Sequence, residues 1–116
     1  KLDYNAIPFV VFTIPPLARV GMLESEARDA GIDVEVTSSE MSGWYYVRRV
    51  REPAALAKVV VEKASGRILG AQILGPEADE MINLFALTMR AGLKAPDLKD
   101  LIATYPSAAS SVQYLF

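Results

Sequence analysis

Apolar and polar positions alternate most sharply at Ile32–Ser38, where Ile32, Val34 and Val36 are interleaved with Asp33, Glu35 and Thr37. A period of two places each set on its own face of an extended chain, so this stretch predicts a half-buried β-strand. Upstream, Ile7–Thr13 is rich in β-branched and aromatic residues and ends at Pro15-Pro16. It predicts a buried strand, and Leu17–Met22 predicts a second one closed by Gly21. Glu24–Gly31 predicts a short helix, with acidic residues at its start and Gly31 where a left-handed C-cap belongs. Its N-cap is weak, because Leu23 offers no side-chain acceptor. Met41–Pro53 carries no clear period; Trp44–Val47 can extend the preceding strand before Pro53 interrupts it. Lys58–Lys63 and Arg67–Leu74 flank Ala64-Ser65-Gly66 and predict a β-hairpin, with glycine supplying the positive φ of a tight loop.

From Glu77 the period becomes helical. Met81–Ala91 is almost entirely apolar, and Asp79, Asn83, Arg90 and Lys94 fall on one narrow stripe. A surface helix buries about a third of its circumference, so this one needs cover on two sides. Either the domain sandwiches it or a second subunit does. A chain of 116 residues has little material for the outer side, which favours a subunit interface through Met81, Leu84, Phe85, Thr88 and Met89. Gly92 ends the helix. Ala95–Ala103 predicts another, with Pro96 in its first turn and Asp97 as cap, and Ser107–Phe116 predicts a last one. Strands, a helix, more strands and then helices describe an α+β domain over residues 1–116: an antiparallel β-sheet with helices packed on one face.

Composition narrows the chemistry. A net charge of −2 with interspersed signs leaves no basic footprint for a nucleic-acid partner. The one basic cluster, Arg48-Arg49-Arg51, is broken by Val50 and followed by Glu52, and reads as a solvated strand or loop. No apolar run reaches the ~20 residues of a membrane span, and Asp3 and Pro8 do not suit a signal peptide. A cytoplasmic location is the expectation. The sequence has no cysteine and no histidine, which removes thiolate nucleophiles, the usual proton shuttle and the soft metal ligands. No metal site is expected. Gly66, Gly70 and Gly75 do not form G-x-G-x-x-G. Ser107, Ser110 and Ser111 lack a base and read as caps or small packing residues. Glu24, Glu26 and Asp29 complement a helix dipole, and Met81 and Met89 offer packing rather than chemistry.

The blocks "VVFT-x-P", "A-x-VG", "SGRILGAQILGP" and "ADEMI" occur together and in order. In this combination the chain resembles the C-terminal dimerisation domain of the pyridine nucleotide-disulfide oxidoreductases. Glutathione reductase, dihydrolipoamide dehydrogenase, mercuric reductase and soluble transhydrogenase belong to that family. The resemblance covers almost the whole chain. It implies an antiparallel interface domain and a homodimer built through it. It also implies FAD and NAD(P) held by upstream domains of a parent chain, with no cofactor expected on this chain alone.

In the disulfide reductases the last segment reads H-P-x-x-S-E, and its histidine, oriented by the glutamate, works in the partner subunit's active site. Here the histidine position is Tyr105, the proline is Pro106 and the glutamate position is Ser110. Tyrosine in this place resembles the mercuric reductase and transhydrogenase branches. The resemblance thus implies Tyr105 at the catalytic position, and Tyr105 and Pro106, in a cis peptide, against a flavin or substrate site completed in trans. A phenol is poorly matched to shuttling protons as imidazole does, and Ser110 cannot charge a base. Ordinary disulfide reduction is therefore not expected. The alternative is a freestanding α+β interaction module without redox activity.

Overall fold

The structure, a computed structural model, describes residues 5–116. Five strands form one antiparallel sheet in the order β1-β2-β5-β4-β3: β1 (Phe9–Val11), β2 (Leu17–Gly21), β3 (Val34–Glu40), β4 (Leu56–Glu62) and β5 (Ile68–Leu74). Four α-helices accompany it: α1 (Glu24–Asp29), α2 (Tyr45–Arg49), α3 (Ala78–Arg90) and α4 (Ala95–Lys99). A 3-10 helix, Ala109–Leu115, ends the chain. The α+β class and the β4–β5 hairpin stand as expected, with Gly66 at φ 75 in the connecting turn.

Strand parity decides which side chains enter the core. Ala18 pairs with Ile73, and Ile73 with Ala57; Val20 pairs with Ala71, and Ala71 with Val59. These six residues are buried on one face, and Met81, Ile82, Phe85 and Ala86 of α3 join them in one cluster. On the opposite face the short α1 contributes a second cluster, Ala27 with Val34 and Val60. The main helical layer lies on one side, as predicted, with α1 alone on the other. Glu26 accepts a 2.6 Å hydrogen bond from the Leu23 amide, so a carboxylate reaching back caps the helix that lacks a capping side chain at Leu23. Asp97 does the same for the Lys94 amide at α4, at 2.7 Å.

Three expectations are corrected. Ile7–Thr13 is not a buried strand. Only Phe9–Val11 is extended, it forms the sheet edge, and Phe9 and Val11 point away from the helical layer, while Ile14 in the following turn is 98% exposed. Its single neighbour β2 and one covered face half-bury Val10 and little else. Trp44–Val47 does not prolong β3. The Trp44 amide turns back to the Met41 carbonyl at 2.9 Å, and α2 then buries the adjacent Tyr46 and Val47. Helix α4 stops at Lys99 rather than Ala103.

The helix α3 also differs from its reading. Its second cover comes from the chain itself: Val112 and Leu115 of the 3-10 helix share its core cluster, and the Phe85 and Phe116 rings lie 6.1 Å apart. Met81, Phe85 and Thr88, expected at a subunit interface, are therefore buried inside the domain. Leu84 and Met89 are half-buried. Glu80, Asn83, Leu87 and Arg90 are exposed.

Truncating Phe85 to alanine should cost about 3–5 kcal/mol through lost burial and a residual cavity. Leu87→Ala, at a side chain 65% exposed, should cost within ~0.5 kcal/mol of nothing. Urea unfolding of the two variants tests this inside-outside assignment, and equal losses would refute it.

Candidate functional site

Three turns and α2 meet at one end of the sheet. The Ile14–Pro15 peptide is cis, and the Thr13 hydroxyl donates to the Pro15 carbonyl at 2.8 Å. The next residue, Pro16, accepts a 3.1 Å hydrogen bond from the Gly75 amide, which ties the β1–β2 turn to the turn entering α3. Gly75 lies so close to Ala55 that a Cβ there would stand 3.2 Å from the alanine Cβ. The third turn carries Tyr105–Pro106, again cis. Between it, α2 and the Pro76–Glu77 turn runs a cleft of about 240 Å³, lined among others by Tyr46, Arg49, Glu77, Pro106 and Ala108.

Tyr105 is 79% exposed and its phenol has no hydrogen-bond partner among the described residues. It is presented outward, free to meet another surface. Ser110, by contrast, is spent on its own turn. Its amide donates to the Ser107 hydroxyl at 3.1 Å, its hydroxyl donates to the Ser107 carbonyl at 2.7 Å, and it accepts from the Ser107 amide at 3.2 Å. Ser107 also donates to the Thr104 carbonyl. The two serines cap the start of the 3-10 helix, which is the role expected of them. Nothing in this geometry orients or charges Tyr105.

Tyr46 lies beneath the cleft. Its hydroxyl is 3.5 Å from Sδ of Met81 and 3.9 Å from Sδ of Met41. Burial first, and the nearby Glu77 carboxylate second, push its phenol up to about 12. Arg49 and Glu77 were not singled out as site residues from the sequence. The arginine cluster is the available signal, and α2 rather than a strand or loop carries it, with Arg49 in the lining of the cleft. Among the described residues no group of three or more His, Cys, Asp or Glu side chains could hold a metal ion. Nor is any helix there long and apolar enough to cross a membrane.

The residues present do not build a dinucleotide cradle. Gly70 lies in a strand, where a Cβ would stand 1.9 Å from the Met22 carbonyl oxygen, and Gly66 lies in a hairpin turn. Gly70 serves close packing of the chain on itself, and Gly66 the positive φ of its turn.

The sequence profile described as "Pyridine nucleotide-disulphide oxidoreductase, dimerisation domain" matches residues 7–115. An uncharacterized 19.7 kDa protein in a mercuric resistance operon of Staphylococcus aureus is 39% identical, over 99% of this chain and 64% of its own length. The probable pyridine nucleotide-disulfide oxidoreductase RclA of Escherichia coli is 37% identical, over 98% of this chain and 26% of its own length. Dihydrolipoyl dehydrogenase of Geobacillus stearothermophilus is 39% identical, over 91% and 23% respectively. The solved structure of RclA, described as an HOCl-induced flavoprotein disulfide reductase in complex with Cu(II), superposes with a TM-score of 0.93 over 97% of this chain and 25% of that one. LpdA of Mycobacterium tuberculosis shares the fold, with a TM-score of 0.88 at 19% identity, over 98% of this chain and 25% of that one. The chain thus spans about a quarter to two thirds of the relatives it matches.

Tyr46 sets an alkaline limit on stability. Its folded value, about 12, lies above the unfolded phenol value of ~10. The contribution is therefore complete below ~pH 10 and is lost as pH rises from there toward 12. Denaturant midpoints across this window should fall in the native chain and fall less in Tyr46→Phe, which keeps the ring and removes the titrating group. Identical profiles would show that Tyr46 does not control this limb.

Proposed function

We propose that this chain, which belongs to the pyridine nucleotide-disulphide oxidoreductase dimerisation-domain family, joins two copies of a longer cytoplasmic oxidoreductase and presents Tyr105 and Pro106 to a site the partner copy completes. FAD and NAD(P) are bound by upstream domains of that longer protein. The carrying observation is the outward-facing Tyr105, 79% exposed, at the position where disulfide reductases of the family hold a histidine. With no histidine and no cysteine in the sequence, Tyr105 works by contact and hydrogen bonding, not by shuttling protons.

The surface proposed for pairing is the open side of α3, with Leu87 and the half-buried Leu84 flanked by Glu80 and Asn83. Because Met81, Phe85 and Thr88 are consumed by the domain's own core, they support that surface from below and do not touch the partner. Met89, half-buried, lies at its margin. A specific interface of standard size buries about 1,600 Å² in total, more than one helix face supplies, so the Tyr105 end would share in it.

A second reading keeps association and drops the enzyme. The Staphylococcus relative of 19.7 kDa exceeds this domain by little more than a third of its own length, which favours a short interaction protein. A G-x-G-x-x-G strand-turn-helix in the upstream coding sequence would decide for the oxidoreductase.

Light scattering of the purified chain should give twice its 12.6 kDa mass, and Leu87→Glu should return it to monomer with an unchanged circular dichroism spectrum. Monomer alone at high concentration would sink the pairing reading. In the longer protein, Tyr105→Phe should slow turnover roughly tenfold, about 1.4 kcal/mol of barrier, while the dimer persists. Unchanged turnover would reduce Tyr105 to a filler of the interface.

A further inference from the structure

The cleft beside the Tyr105–Pro106 turn holds two opposite charges that the fold does not use. Arg49 of α2 and Glu77 of the turn that opens α3 both line it, and both are exposed. The four salt bridges among the described residues are Arg19–Glu26, Arg28–Glu24, Lys58–Glu24 and Lys63–Asp33. Neither cleft residue is in one, although both line the same space of about 240 Å³. Side-chain hydrogen bonds leave them out as well.

Glu77 carries a second sign. Its backbone sits at φ 61, ψ 13, a left-handed conformation that disfavours every side chain except glycine's and, less severely, those of asparagine and aspartate. A position that would be relaxed by glycine instead carries a carboxylate in the lining of the cleft. Such outliers gather where a side chain is needed. Val50, Pro76 and Ala108 add apolar surface to the cleft, Tyr46 and Ser107 line it as well, and both charges stay open to water.

We propose that this cleft is a subsite for a small zwitterionic group, with its carboxylate on Arg49 and its ammonium on Glu77. A lone anion would meet the Glu77 carboxylate and a lone cation the Arg49 guanidinium; only a ligand carrying both charges satisfies both. Arg49 suits the carboxylate because its planar fork can donate two parallel hydrogen bonds. The proposal rests on the reading of this end of the sheet as facing a substrate. It adds the class of the group recognised there, an amino-acid-like end.

The test is a titration of the isotopically labelled chain, followed by amide resonances, with glycine as the probe. Glycinamide supplies the cation alone and N-acetylglycine the anion alone. Glycine should shift the amides of Val50, Glu77 and Ala108 saturably, and each single-charge analogue should bind roughly two- to fivefold more weakly, as expected for an exposed charge pair. Arg49→Gln should weaken glycine by the same factor, with partial recovery in Arg49→Lys. Glu77→Gly removes the carboxylate while relaxing the backbone, so weakened binding in that variant cannot come from unfolding. Absence of a saturable shift overturns the proposal. So does N-acetylglycine binding as well as glycine with no effect of Glu77→Gly, which would mark a plain anion patch. Light scattering on the same samples reports pairing separately, so loss of the subsite and loss of the dimer reading are distinguishable.

Discussion

The close seating of α3 on β2 and β5 is the interaction from which the rest of the structure follows. Alanines at 18, 57 and 71 alternate with Val20, Val59 and Ile73, giving a face shallow enough for Met81, Ile82 and Phe85 to reach the sheet. Burial of a large apolar side chain contributes about 1.5–3 kcal/mol, and all three of these are almost fully buried. The strands themselves must lie close for this to work. Gly21 and Gly70 pair across β2 and β5, and the Met22 amide then donates to the Leu69 carbonyl at 2.9 Å. A side chain at Gly70 would collide with that backbone.

Position propagates outward from this contact. With α3 fixed, its first turn places Glu77 beside α2, and its flank offers Phe85 to Phe116. The C-terminal segment packs there through Val112 and Leu115, and Trp44 meets Tyr114 edge to face at 6.0 Å. Pinned at both its helix and its cap, the segment leaves the Tyr105–Pro106 turn facing out of the domain. Rigidity of this kind lets an exposed side chain act as a positioned group, because little rotational freedom remains in the backbone that carries it.

The groups at that end suit the binding role proposed for it. A phenol, a guanidinium and a carboxylate stand there, while both serines are engaged in capping. The carboxylate that orients a histidine elsewhere in the family has become a residue whose hydroxyl and amide serve its own turn. On the proposed reading, an inward-bonded serine and a neutral aromatic in place of a charged dyad make this a contact position rather than a proton-transfer one.

The sequence was most legible where one physical signal acted alone. Period-two alternation marked β3, the Ala64-Ser65-Gly66 turn marked the β4–β5 hairpin, and the helical period marked α3. Block order carried the family. Other features depended on partners distant along the chain. The apolar residues of Ile7–Thr13 could not reveal that they form an edge, since an edge is defined by a missing neighbour. Tyr46 and Val47 favour extended structure locally, yet the space beneath α3 accepts them adjacent on a helix. The all-apolar character of α3 was visible, but which side the chain's own last residues would cover was not. That was settled by the fold-back of Val112–Phe116. That Arg49 and Glu77, 28 positions apart, line one cleft was likewise decided by tertiary structure, because a cleft exists only where separately formed elements fail to close the space between them.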